Sequence, residues 1–320
     1  MILADYLLPT PSLQWDYARQ VGVEHAVIRL PEDGSFDEGD PTHWKSLISR
    51  YTQKGLIPLV VEPMPNHLHD HIKLGDEKRD ESIEKVINMM RAMQGSGVHT
   101  ICTNFMACIG WFRTDNAIEE RGGALVTGFD AEKVKREIRG SMTVQALWEN
   151  LTVFLQGVTP YAQRYGIRIA LHPDDPPVPA LMGVSRILTS PENIQRAVDI
   201  TNSPAVGITL CQGTYSAMGA SVCSVIKQFA RQDKLFFVHF RDVRGNREHF
   251  HETFHDNGQT DMRETLRCYQ EMGYHGPVRV DHVPTMAGEE NALPGYASVG
   301  RLFAIGYLKG LLEGIRYSYR

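Results

Sequence analysis

At 320 residues, with hydrophobic residues at 42%, charged residues at 22% and aromatics at 9%, the chain has the composition of a folded protein with room for a large buried core, which excludes a disordered or fibrous class. Its 33 Lys and Arg against 38 Asp and Glu give a formal net charge of −5, and no block of like charge is long enough for a nucleic-acid tail or a polybasic membrane anchor. Cys102, Cys108, Cys211, Cys223 and Cys268 form no CxxC pair, so neither a disulfide framework nor a zinc ribbon is expected, and the thiols are expected to be reduced in a cytoplasm.

In chain order, the opening MILADYLLPTPSLQW has no basic n-region and carries Asp5 inside its apolar stretch. No later apolar run approaches the ~20 residues of a membrane helix, so neither a signal peptide nor a span is expected. Short runs rich in Val, Ile, Leu and Phe predict strands at 2–6, 25–30, 57–62, 98–103, 167–172, 205–210, 235–240 and 278–281, in the pattern of strands buried on both faces. Helical patterns fill the spaces at 12–21, 42–55, 80–97, 143–166, 190–200, 220–232, 260–273 and 297–315, several closing on Gly. Eight such βα units without a GxGxxG after the first strand predict a TIM (β/α)8 barrel, a single α/β domain over 1–320 with active-site loop insertions. The non-periodic segments 104–141, 172–190 and 241–260 each follow a predicted strand, which assigns them to the catalytic face.

Strand ends at the carboxyl face of such a barrel carry its chemistry. His172 closes IRIALH, Cys211 follows GITL, His239 ends LFFVH and Asp281 ends VRVD. Alone, a strand-end His is ordinarily a satisfied polar residue and a Cys in an apolar strand a small core residue. Four metal-compatible types at equivalent positions of successive units, with strands ~4.8 Å apart, predict convergence on one divalent transition metal. Imidazoles, a thiolate and a carboxylate suit Fe, Mn, Co or Zn better than Mg or Ca. HPDDPP puts Asp174 and Asp175 in a proline-stiffened loop, either as turn formers or to orient His172 or a substrate. Arg241, beside His239, suits bidentate recognition of a carboxylate, or else an ordinary ion pair. The loop bearing His249, His251, Glu252 and Asp261 reads as a lid element or as solvated polar chain.

The strings CTNFMACIGWFRTD, LHPDDPP followed by GVSRIL, TLCQGTY, VHFRDVRG, HFHETFHDNGQTDM, VDH and PGYASVGRLFAIGYLKGL, in that order from Cys102 to about Gly310, together resemble the mannonate dehydratases. The resemblance implies a TIM barrel whose manganese or iron is held by His, Cys, His and Asp, here His172, Cys211, His239 and Asp281. It implies loss of water from D-mannonate to give 2-keto-3-deoxy-D-gluconate, with Tyr296 of the PGY string and His282 as the proton-transfer pair. The family's opening Arg-Trp-aromatic-Gly-Pro string has no counterpart before Trp15, and Pro284 stands where the family has a second His. These differences bear on which acid the barrel takes.

Dehydrating an aldonate means removing the proton α to a carboxylate and expelling the neighbouring hydroxide, which calls for charge stabilisation together with a general base and a general acid. Which of Tyr296 and His282 is the base the sequence leaves open. A tyrosine base would need a cation beside its phenolate, the metal or Arg241. Two other readings stand beside this one: a sugar isomerase or epimerase on the same barrel, which Cys211 as a ligand argues against, and a metal- or sugar-acid-binding protein without turnover. The expected partner is a small sugar acid, with no nucleic acid and no membrane; homo-oligomerisation is open.

Overall fold

The computed structural model describes residues 1–135 and 137–320, so one position of the 104–141 segment lies outside the described residues. Its centre is a closed barrel of eight parallel strands: β1 (Ile2–Leu7), β2 (His25–Ile28), β3 (Ile57–Val61), β4 (Thr100–Thr103), β5 (Arg168–Leu171), β6 (Val206–Cys211), β7 (Leu235–Phe240) and β8 (Pro277–Val280). Each strand pairs with its neighbours in sequence, and β8 closes on β1. The expected TIM barrel is the fold found, with every strand boundary within two residues of its expected place.

The strands form where apolar side chains can be buried on both faces. One large apolar cluster packs the strands against the helices, while Ala4, Val27, Val60, Cys102 and Phe237 form a smaller one in the barrel interior. Helices begin where the chain supplies an oxygen for the free N–H groups of the first turn. Asp40 accepts from Thr42 N ahead of Pro41, Thr143 from Ala146 N, Ser190 from Asn193 N ahead of Pro191, and Asp261 from Glu264 N. Register then sets the site: Cys211 of β6 lies level with His239 of β7, and His239 with Arg279 of β8.

Three features depart from the sequence expectations. Helix Asn66–Leu74 forms where no helix was expected, because its three His and one Asp interrupt the apolar pattern. The segments 104–141 and 241–260 are not plain loops. Asp115–Glu119, Leu125–Asp130, Val243–Asn246 and His249–Glu252 pair into a four-stranded antiparallel sheet, whose strands are too short and polar to show alternation. The cysteines also need correcting, since Cys223 and Cys268 form a disulfide between helices Val222–Ala230 and Met262–Glu271, leaving Cys102, Cys108 and Cys211 free. Spacing along the chain carries no sign of two cysteines brought together by neighbouring helices. No described helix is long and apolar enough to cross a membrane.

Candidate active site

The four strand-end donors meet. His172, Cys211 and His239 offer atoms that all lie within 4.8 Å of one another, and Asp281 Oδ2 is 3.6 Å from His239 Nδ1 and 4.0 Å from Cys211 Sγ. A four-coordinate ion with ~2.0–2.3 Å bonds holds its donors about 3.3–3.8 Å apart, close to these spacings. The His172 tautomer leaves one ring nitrogen available to a cation. His172 Nδ1 donates to the Pro173 carbonyl at 2.6 Å, which leaves Nε2 as a lone pair 3.2 Å from His239 Nδ1. His239 Nε2 stands 2.9 Å from Glu62 Oε1, a charge contact off the line of a ring N–H.

Behind the donors lies a buried ionic network. Arg241 is 1% exposed. Its Nε donates to Cys211 Sγ at 3.1 Å and contacts Asp281 Oδ2 at 3.1 Å; Nη1 donates to both oxygens of Glu252, at 2.7 and 2.6 Å; Nη2 donates to Asp175 Oδ2 and Thr214 Oγ1, both at 2.8 Å. This corrects the expectation that Arg241 grips a substrate carboxylate, because its guanidinium is saturated inside the protein. Gly213 makes room for it, since a Cβ there would meet the guanidinium and its stem at 2.9–3.1 Å. Arg113 donates to both oxygens of Asp175, at 2.6 and 2.9 Å, and to Glu252 at 2.6 Å. Arg279 donates to Glu62 at 2.8 and 3.0 Å and to Asp281 Oδ1 at 2.7 Å. These guanidiniums hold the Asp175, Asp281 and Glu62 carboxyls well below the usual carboxylate range and bring Glu252 down to about 2, against the opposing effect of burial. Three guanidiniums thus face four carboxylates, which leaves an excess of negative charge beside the donors.

Asp174 and Asp175 divide their work. Asp174 Oδ2 accepts from the Ile187 and Leu188 amides, both at 3.0 Å, and braces the loop; burial raises its pKa. Asp175 joins the two arginines. Neither reaches the His172 ring, whose Nδ1 partner is the Pro173 carbonyl.

His282 and Tyr296 are in contact, with Tyr296 Oη 3.3 Å from His282 Nε2. On the other side of the imidazole, Nδ1 lies 3.0 Å from Glu252 Oε1, so a carboxylate fixes the ring and the residues form a Glu252–His282–Tyr296 chain. His282 adopts φ of 25°, a conformation that side chains rarely take. Trp111 packs on its ring at 5.2 Å. Burial, then Asp281, raises the Tyr296 pKa, and Arg279, not Arg241, is the cation that opposes them; the phenol therefore keeps its proton at neutral pH.

Part of this assembly borders a cavity of about 260 Å³, near the ~300 Å³ lower end of small-molecule sites. His172, Asp175, His239, Asp281, His282 and Tyr296 line it, and Arg241 lies behind. Sequence reading missed Glu62, Arg279, Arg113, Tyr6, Asn66 and Asn104. Glu62 closes a predicted strand as the four donors do, so the same rule applied to the first four strands finds it. Arg279, a charge between two valines, was likewise visible. Arg113 and Asn104 sit on loops, and Asn66 opens the unexpected helix, so their placement depends on the added sheet and helix.

A TIM barrel with convergent donors and a carboxylate-oriented His–Tyr pair around one small cavity defines an enzyme. A sequence model of the D-mannonate dehydratase (UxuA) family matches residues 9–145 and 137–320. The mannonate dehydratase of Streptococcus agalactiae serotype III (strain NEM316) is 34% identical over 291 residues, 82% of each chain. Mannonate dehydratase 2 of Halalkalibacterium halodurans is 30% identical over 341 residues, 96% of this chain and 97% of that one. The crystal structure of mannonate dehydratase from Streptococcus suis serotype 2 superposes with a TM-score of 0.89 at 25% identity, covering 98% of this chain and 93% of the other. The chain belongs to the mannonate dehydratase family and is a hydro-lyase.

Proposed function

We propose that the cavity removes water from D-mannonate, giving 2-keto-3-deoxy-D-gluconate, with His172, Cys211, His239 and Asp281 holding a divalent transition metal, manganese or iron. The observation that carries this reading is the meeting of four donors beside a cavity lined by three of them, His172, His239 and Asp281, and by the His282–Tyr296 pair, with Glu252 behind His282. Bound there, the metal would supply positive charge for the negative charge that builds up beside the substrate carboxylate.

The chain's own residues account for the protons. Glu252 accepts a hydrogen bond from His282 Nδ1–H, which leaves Nε2 as the base that takes the proton from C2. Tyr296, kept protonated by burial, donates its phenolic proton to the C3 hydroxyl, which leaves as water. The imidazolium then returns a proton to the phenolate across their 3.3 Å contact, which restores both groups, and the enol left on the substrate becomes the 2-keto-3-deoxy acid as its C2 hydroxyl loses a proton and C3 gains one. Arg241, Arg113 and Asp175 act as positioning residues that hold Cys211, Asp281 and Glu252. The same reading places the reaction in the cytoplasm, with the sugar acid as the partner.

The test is product analysis after incubating metal-reconstituted protein with a panel of C5 and C6 aldonates. The expected result is the 2-keto-3-deoxy acid from D-mannonate. A product with all its hydroxyls would favour the isomerase or epimerase reading, and binding without product a protein that has lost turnover.

A further inference from the structure

The β3 and β4 loops give the cavity a wall that the chemistry above does not use, made of Asn66, Thr103 and Asn104. Behind this wall, on helix Asn66–Leu74, Lys73 is only 2% exposed. Its Nζ lies 3.2 Å from Asn104 Oδ1 and 3.1 Å from His69 Nε2, whereas Asp70, 3.8 Å away, is about half exposed. Burial draws the Lys73 pKa down to about 8, so the ammonium keeps most of its charge at neutral pH. Burial and Lys73 together push His69 well below its ordinary range. Around this neutral ring, Nε2 lies 3.1 Å from Lys73 Nζ and 3.2 Å from Asn66 Oδ1, while Nδ1 faces Thr103 Oγ1 at 3.3 Å.

A buried ammonium without a close, buried carboxylate is costly, so what it holds in place matters. Asn104 Oδ1 accepts from both Lys73 Nζ and the Met106 amide, each at 3.2 Å. Two donors on one arm fix which end of the amide is oxygen. The other arm, Nδ2, finds no acceptor among the described residues, and Asn104 is half-buried at the cavity.

We propose that Asn104 binds substrate, its Nδ2 donating to an oxygen of the sugar acid, and that Lys73 is the positioning residue that locks the amide in that orientation. The proposal rests on the sugar-acid reading of the cavity. Asn104→Asp keeps the shape and replaces the donor arm with an acceptor that repels an acid. Its KM for D-mannonate should rise at least ~10-fold, the worth of one such hydrogen bond, while kcat changes less than ~3-fold and metal content is unchanged. Lys73→Met should raise KM in the same direction by freeing the amide to turn, and Lys73→Arg, which keeps a charged donor, should recover most of the loss.

Coupling gives the sharper reading. If Lys73 acts through Asn104, adding Lys73→Met to Asn104→Ala should raise KM less than ~2-fold further; fully additive effects overturn the positioning role. Should Lys73→Met fail to fold, Lys73→Ala, which leaves room for water, takes its place in the cycle. Calorimetric titration of C5 and C6 aldonates into the metal-loaded protein separates this proposal from the activity. If D-mannonate binds but is not dehydrated, the activity reading falls and the Asn104→Asp shift in Kd still decides the wall. Unchanged KM and Kd in folded, metal-bound Asn104→Asp overturn the proposal, as does a wild-type protein that binds no aldonate.

Discussion

On the β5–β8 side of the barrel mouth, Arg241, Asp175, Glu252 and Asp281 are at most 3% exposed and each is tied to opposite charge. On the β1–β4 side the cavity wall is Tyr6, Asn66, Thr103 and Asn104, neutral side chains, with Arg29 partly exposed and paired to Glu32. Glu62 is the exception, since it closes β3 but reaches Arg279 and His239. The two sides differ in what a substitution costs. Removing one member of a buried ion network leaves a charge uncompensated, about 3–5 kcal/mol, whereas exchanging one neutral hydrogen-bonding group for another costs nearer 1 kcal/mol. A site divided in this way keeps its chemistry fixed while the recognition of hydroxyls remains adjustable.

The largest effect should come from the donors themselves. Cys211→Ser exchanges a thiolate for a mostly protonated hydroxyl, and His239→Ala removes a ring held from both sides. Elemental analysis should show bound metal falling in both variants, with turnover reduced by ~10³-fold or more, the worth of several kcal/mol of charge stabilisation. Unchanged metal content in both would move the site elsewhere and collapse the contrast between the two sides. Next comes Tyr296→Phe, which keeps the ring packed between Tyr6 and His282 and removes only the proton donor. Turnover should fall by at least ~10²-fold, with metal content and thermal midpoint near wild type. Wild-type turnover in this variant would make the tyrosine structural.

Asp175→Asn tests the network as a network. Arg113 and Arg241 lose a shared charge, so the thermal midpoint should fall and activity should drop about tenfold, with the fold intact. Acid sharpens the test. Asp175 and Glu252 have folded pKa values depressed below their unfolded ones, so their contribution to stability is complete above the unfolded range, ~4–4.5. It is lost as pH falls through the folded values, down to about 2 for Glu252. Thermal midpoints measured from pH 6 to pH 2 should drop across that window in wild type and less steeply in Asp175→Asn. Parallel curves would mean that Asp175 adds nothing to the acid sensitivity.

The same contrast explains what could be read from the sequence. His172, Cys211, His239 and Asp281 were legible because each is a distinctive residue type at the end of an apolar strand, where barrel geometry fixes its direction. Arg241 was legible as a residue but not in its role, because nothing in VHFRD shows that Glu252, on a strand of the added sheet, would reach it first. Asn66, Thr103 and Asn104 belong to types common in any loop. Their meaning depends on helix Asn66–Leu74, whose buried Lys73 and His69 disguise it as a polar linker. The family's Arg-Trp-aromatic-Gly-Pro string is missing from the amino-terminal segment that forms part of this side, where Tyr6 packs against Tyr296 and under Arg279.

The smallest effect should come from Arg29, the one charged group on the neutral side of the cavity that is free to meet solvent. Its Nη2 pairs with Glu32 Oε1 at 2.8 Å, with both side chains about 40% exposed, and exposed pairs of this kind contribute about 0–1 kcal/mol. Arg29→Met keeps an unbranched stem of similar length and removes the charge, together with its interaction with the Tyr6 phenol. Thermal stability should stay within ~0.5 kcal/mol of wild type, and KM for D-mannonate should rise no more than about fivefold, because a screened charge at the rim attracts an anion only weakly. Raising the salt should reduce even that difference. A KM increase of ~100-fold that persists in high salt would mean that Arg29 grips the substrate directly in a dry site, and the division between a charged catalytic side and a neutral recognition side would have to be redrawn with a second anion-binding point at the end of β2.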